Sequence, residues 1–240
     1  MILALDFDGV ICDSMEECLH TSYQSFRTLA GNSALPKHPK VQWQKKFREH
    51  RGFVRPSGHF FILWQWVINL SHIQLTSAIF EQLAAINVES INAFEETFHQ
   101  KRYQQQRKDP QAFIDANPLY PGVHESWKDL PLPRYIVTTK DELSVRLILS
   151  AHRLCVEGVF GRGCGPKPAT LCALARRHKV NPSEVIFIDD NADHIAEASA
   201  VGITAVLAEW GYGPKTPSPK MLLNAFSDLR YLSRTGNILK

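Results

Sequence analysis

Residues 184–208 read "EVIFIDDNADHIAEASAVGITAVLA". The segment "EVIFID" reads as a strand, "ADHIAEASAVG" as a helix and "ITAVLA" as a second strand. The same alternation fills the preceding fifty residues. "RYIVTT" (134–139) is a predicted strand, "DELSVRLILSAH" (141–152) a helix, "GVF" (158–160) a short strand and "PATLCALARRH" (168–178) a helix. Strands alternating with helices predict an α/β fold with a parallel, doubly wound sheet.

The N-terminus supplies one more strand. "ILALDF" (2–7) is a short apolar run ending in polar residues, as expected of a strand buried on both faces. Ser14 and Glu17 then form an S-x-x-E pattern, which predicts a capping box opening a helix that runs to about Gly31. From there to Asn117 no strand is expected. Helical stretches are predicted instead over 41–53, 59–70, 76–85 and 88–107, and "NPLYPG" (117–122) punctuates the end of the block. The expected organisation is an α/β core built from residues 1–31 and 118–240, with a helical insertion over 32–117.

Composition narrows the class. With 240 residues, 44% hydrophobic and 21% charged, the chain can bury a useful core without covalent staples. The cysteines (Cys12, Cys18, Cys155, Cys164, Cys172) are odd in number and contain no C-x-x-C pair. That argues for reduced thiols and a cytoplasmic protein, and against a zinc site. No signal peptide is visible, and "FFILWQWVINL" (60–70) is too short to span a bilayer and carries Gln65 and Asn69. It reads as a buried helix, with Trp64 and Trp66 in its core. The formal net charge of +3 is too slight to imply nucleic acid, and no membrane partner is expected. Between Lys37 and Arg55, however, seven Lys or Arg residues stand against one acid, Glu49. This run is either a solvated helix face or a positive wall for an anionic substrate.

Ligands of doubly wound sheets bind beyond the carboxyl ends of the strands. The first strand ends there in Asp6 and Asp8, the second in Thr138 and Thr139, and the "VIFIDD" strand in Asp189 and Asp190. Lys167 stands in "GPKP" at the start of the intervening helix. Each piece alone is weak, but their combination at successive strand ends is not. Asp13 reads only as a helix-start residue, and the glycines of "GRGCGP" lack a dinucleotide-binding spacing. Two unit charges ~4 Å apart cost roughly 4 kcal/mol at an effective dielectric of 20. Several such pairs would consume much of the ~5–15 kcal/mol that stabilises an ordinary domain. A divalent cation removes that cost, and oxygen-only ligands favour magnesium, which commonly accompanies phosphate.

The segments "DFDGV", "IVTTK", "GPKP" and "FIDDNADHIAEASAVG", in this order, resemble the haloacid dehalogenase superfamily of phosphohydrolases. "LYPGV" and "EWGYG" resemble its phosphoglycolate phosphatase-like branch. The likeness covers residues 1–31 and 118–213, and the helical block resembles that branch's cap in position and class. It implies a phosphomonoesterase acting on a small phosphorylated metabolite. Asp6 would be the nucleophile, and Asp8 the acid and then the base. Thr138 and Lys167 would hold the phosphoryl oxygens, with Thr139 beside them. Magnesium would be bound by Asp6, the backbone carbonyl of Asp8 and Asp190, with Asp189 assisting. His194 departs from the family pattern, where Asp or Asn is usual. It reads equally as a hydrogen-bonder behind the metal or as a residue facing solvent. Arg48, Arg51 and Arg55 are the candidates for gripping a substrate anion. A phosphomutase of the same fold remains an alternative, as does a binding module that lost its chemistry; a dehalogenase has no need of Asp8.

Overall fold

Strand β1 (Ile2–Leu5) is fully buried, as its unbroken apolar run requires. The computed structural model describes residues 1–31, 35–131, 133–213 and 222–231. Their packing divides into two compact units, one of residues 1–13 and 118–240 and the other of residues 14–117.

The second unit is helical. It comprises α1 (Met15–Leu29), α2 (Val41–His50), α3 (Phe60–Gln65), α4 (Ser77–Ile86), α5 (Val88–Lys108) and α6 (Pro110–Asp115). Aromatic rings fill its core: Phe47 stacks on Trp64 at 4.8 Å, and Trp64 donates its indole N–H to Ser22 Oγ at 2.7 Å. Helix α1 belongs with this unit because Leu19, Tyr23 and Phe26 bury against the same cluster as Trp64, Phe94 and Phe98. An organisation divided at residue 31 would have placed it with the sheet.

Three local expectations need correction. The capping box does not form: Ser14 makes no side-chain cap, and Glu17 turns instead to Arg102, at 3.0 and 2.7 Å. A buried guanidinium outcompetes one backbone N–H for a carboxylate. The helix predicted over 59–70 is three pieces, a 3-10 turn at Ser57–His59, α3, and a π-helical turn at Trp66–Leu70. Helix α6 lies outside the predicted helices, although Asp109–Pro110 is a start signal; the Asp109 carboxylate accepts from Ala112 N at 2.9 Å.

The first unit continues with α7 (Val123–Ser126), β2 (Arg134–Val137), α8 (Glu142–Ala151), β3 (Gly158–Phe160), α9 (Lys167–His178), β4 (Val185–Asp189), α10 (Ala192–Ala200), β5 (Thr204–Ala208) and β6 (Leu222–Leu223). The described strands form one six-stranded sheet in the order β3-β2-β1-β4-β5-β6, and every pairing is parallel. Along one face, Ile2, Ala4, Val137, Phe187 and Leu207 bury against Leu171 and Leu174 of α9 and Ile195 of α10. The chain lays β2 and β3 on one side of β1, then crosses to lay β4 on the other. The order therefore reverses between β1 and β4, which is where a doubly wound sheet opens its ligand crevice.

Candidate active site

Asp6 follows β1 directly, and its N–H donates to Ile188 O of β4 at 2.8 Å, so the last β1–β4 bond fixes its backbone. Its Oδ1 accepts from Phe7 N at 2.8 Å and its Oδ2 lies 3.0 Å from Lys167 Nζ. The Thr138 hydroxyl, at the end of β2, also bonds to it. Lys167 reaches this point as the first residue of α9 and also meets Asp189 Oδ2 at 2.7 Å.

Asp189 is the hub behind Asp6. Its Oδ1 accepts from Asn191 N at 2.8 Å, and His194 Nδ1 lies 3.0 Å from its Oδ2. His194 therefore faces Asp189 rather than solvent, and its backbone N–H is held by the Asn191 cap of α10. Burial alone would raise the Asp189 carboxyl, but Lys167 and His194 outweigh it and hold it well below the usual carboxylate range. Burial would likewise strip the Lys167 proton, yet Asp189 and Asp6 keep it charged. Asp6 is pushed the other way. Burial raises its carboxyl against the pull of Lys167, and the Asp189 charge adds to the rise.

Lys140 is a site residue that sequence reasoning missed. Its ammonium lies 2.9 Å and 3.3 Å from the two carboxylate oxygens of Asp8. The available signal was its place in "TTK", directly after Thr138 and Thr139. Thr139 itself is exposed, whereas Thr138 is buried.

Asp190 is enclosed by glycines. A Cβ at Gly9 would fall 2.3 Å from Asp190 Oδ2, one at Gly211 2.2 Å from Asp190 Cβ, and one at Gly213 2.0 Å from Asp190 O. Gly9 also has φ +86, which few side chains tolerate. The spacing in "EWGYG" thus lets the chain wrap Asp190, and Tyr212 N donates to its Oδ2 at 2.6 Å. The Tyr212 hydroxyl donates to Asp13 at 2.8 Å, so Asp13 anchors this loop rather than merely starting a helix. Gly211→Ala is expected to lower the thermal midpoint by several degrees, through an overpacking cost of about 1–3 kcal/mol. A Gly211→Ala variant melting with the unmodified chain would show that the loop can give way and that the close approach is not required.

The site fits a divalent cation. Asp6 and Asp189 share the Lys167 ammonium and Asp8 meets that of Lys140, while Asp190 accepts from Tyr212 N, so four carboxylates gather about two ammonium groups. Asp6, Asp189 and His194 each bring a possible ligand atom within 4.8 Å of the others. This grouping includes an imidazole, unlike the all-oxygen set expected from the sequence, because α10 aims His194 at Asp189.

The arginines of the basic run lie in the helical unit. Arg48 grips Glu16 through Nε and Nη2 at 2.8 and 3.0 Å. Arg51 is buried, donating to Val54 O at 3.1 Å with its guanidinium 4.8 Å from the Phe60 ring centre. Arg55 is half-buried. Among the described residues no helix is long and apolar enough to cross a membrane.

A family model described as "Hydrolase: haloacid dehalogenase-like hydrolase" matches residues 1–202. A phosphoglycolate phosphatase of Mannheimia succiniciproducens is 29% identical over 126 residues, which are 46% of this chain and 55% of that protein. A second, from Xylella fastidiosa, is 31% identical over 90 residues, 35% of this chain and 39% of its own length. The chain thus spans about half or less of the curated relatives it matches. Among solved structures, a predicted phosphoglycolate phosphatase from Haemophilus somnus shares the fold with a TM-score of 0.66 at 17% identity, covering 97% of both chains. The L-2-haloacid dehalogenase of Xanthobacter autotrophicus does so with a TM-score of 0.53 at 13% identity, over 98% of this chain and 99% of that one.

Proposed function

The chain belongs to the haloacid dehalogenase-like hydrolases, and from that footing we propose that it hydrolyses phosphoric monoesters of small metabolites through an aspartyl-phosphate on Asp6. The observation that carries this reading is the setting of Asp6. It is a buried carboxylate at the β1–β4 reversal, its carboxyl raised by that burial, with Lys167 and Thr138 beside it and Asp8 two residues on.

Asp6 attacks phosphorus with one carboxylate oxygen, and the bond to the ester oxygen breaks with its electron pair. Asp8 supplies the proton that the departing alkoxide needs, then takes one from the water that cleaves the aspartyl-phosphate. Inorganic phosphate leaves and Asp6 is regenerated. Lys167 and Thr138 hold the equatorial oxygens, Thr139 lies beside them, and Asp189 keeps Lys167 charged and in place. Magnesium, held by Asp6, the Asp8 carbonyl and Asp190 with Asp189 in support, would neutralise charge on the phosphoryl group. In the helical unit, the burial of Arg51 takes it out of reach of a substrate anion, which leaves Arg48 and Arg55 as the arginines with surface to meet one. The helical insertion would act as the cap, which selects for small substrates.

Magnesium-dependent release of phenol from a generic aryl phosphate tests the reading, followed by a metabolite panel that includes phosphoglycolate, the substrate named for the matched relatives. Absence of turnover would favour a binding module, and a phosphoenzyme that outlives many turnovers would favour a mutase. Magnesium is also expected to raise the thermal midpoint, by roughly 2.7 kcal/mol of added stability at a hundredfold excess over its dissociation constant. Asp190→Ala should remove most of that gain; a variant with the full magnesium response would show that the ligand is elsewhere.

A further inference from the structure

Lys140 is an unusual use of a lysine. Its side chain is fully shielded from solvent, at 0% exposure, while Asp8 in front of it keeps 16%. Lysine is almost never buried unless it is paired, and here the ammonium meets both oxygens of one carboxylate, at 2.9 and 3.3 Å. Contact with both oxygens holds that edge of the carboxylate towards the ammonium and so limits how the group can turn.

The backbone that delivers Lys140 is held from several sides. Its N–H donates to Thr138 Oγ1 at 3.2 Å, and its carbonyl accepts from Arg162 N at 3.0 Å. A Cβ at Gly161 would sit 2.8 Å from that carbonyl, so the two loops can approach only with glycine there. One residue on, Asp141 caps α8 through Ser144 N at 2.8 Å. The Phe7 ring lies 6.0 Å from the ammonium and closes the space beneath it. A single turn after β2 therefore serves both aspartates, with the Thr138 hydroxyl on Asp6 and the Lys140 ammonium on Asp8.

We propose that Lys140 is a positioning residue for Asp8, fixing the carboxylate in the orientation from which it exchanges a proton with the leaving-group oxygen. The proposal deepens the phosphomonoesterase reading and rests on it. Lys140 is too deeply covered to meet a substrate, so its effect runs through Asp8. Its removal should therefore be felt where proton delivery limits the rate and should be nearly silent where it does not.

The test compares Lys140→Met and Lys140→Gln with the unmodified chain and with Asp8→Asn, on 4-nitrophenyl phosphate and on an alkyl phosphate. Lys140→Met should lower kcat on the alkyl ester by about a hundredfold, within the usual range for general acid catalysis. The single-turnover burst of nitrophenol should stay within about threefold, because that leaving group departs with little protonation. Adding Lys140→Met to Asp8→Asn should cost no more than about twofold beyond Asp8→Asn alone, as expected of residues acting as one unit. Lys140→Gln carries the same expectations and replaces the Met variant if that chain does not fold. Equal losses on both esters would make Lys140 a structural residue only, and losses that multiply in the double variant would show that it acts independently of Asp8; either result overturns the proposal. No turnover of either ester by the unmodified chain would overturn the phosphomonoesterase reading itself, and this proposal with it.

Discussion

Asp6→Asn is expected to abolish turnover of every phosphate monoester and to leave no phosphorylated protein, because an amide is not a useful nucleophile toward phosphorus. The substitution is nearly isosteric, so the neighbours need not move. Phe7 N can still donate to the Asn carbonyl oxygen, and Lys167 retains Asp189 at 2.7 Å. Asp8→Asn should behave differently, since its proposed task is to move protons and not to bond to phosphorus. An aryl phosphate with an acidic phenol should still phosphorylate Asp6, giving a burst of phenol and a protein that carries phosphate. Hydrolysis of that adduct should slow by ~10²–10⁴-fold, because the attacking water has lost its base. Alkyl phosphates should be affected already in the first step. Phosphoenzyme on Asp6→Asn, or alkyl phosphate hydrolysis at the unmodified rate by Asp8→Asn, would show that the two roles are wrongly assigned.

The parts of this site that were legible in the sequence are those fixed by strand ends. Asp6, Thr138 and Asp189 follow unbroken apolar runs, and in a parallel sheet such runs all finish at one edge, so their meeting needs no long-range information. The position of Lys140 in "TTK" was legible, but its burial against Asp8 was not. A lysine after a strand is normally solvated, and its burial depends on the Gly161 loop approaching from the far side of β2. The glycines of "EWGYG" could be noticed as a pattern, but their purpose appears only once Asp190 is seen packed against them. His194 could not be decided between two orientations because the choice rests on its contact with the Asp189 carboxylate, which only the packing of α10 against β4 brings about. In the fold, β6 escaped because Leu222–Leu223 is two residues long and is defined by pairing with β5 rather than by any local preference. The Ser14–Glu17 pattern was visible and misleading. A capping box is a local bargain worth a fraction of what a buried guanidinium offers the same carboxylate, and Arg102 lies 85 residues away.

That competition sets the largest expected effect on stability. Arg102 and Glu17 are among the most deeply buried charges of the helical unit, with side chains 3% and 1% exposed. The guanidinium spans both carboxylate oxygens, at 3.0 and 2.7 Å, and lies 4.4 Å from the Phe98 ring centre. The Thr21 hydroxyl adds a bond to Glu17 Oε1 at 2.9 Å. Arg102→Met keeps most of the volume and removes the charge, stranding the Glu17 carboxylate in an interior it cannot leave without opening α1 from α5. The expected cost is about 3–5 kcal/mol, the range for breaking one side of a buried pair. Adding Glu17→Leu to the same chain should return most of that loss, because a buried ion pair and a well-packed apolar pair are often of similar stability. Three of the five tryptophans, Trp43, Trp64 and Trp66, lie in this unit, so fluorescence during urea unfolding is weighted towards it. Arg102→Met unfolding within about 1 kcal/mol of the unmodified chain would mean that water reaches Glu17 after all. A double variant as unstable as the single one would mean that the guanidinium holds α1 to α5 by its shape and its ring contact, and not by its charge.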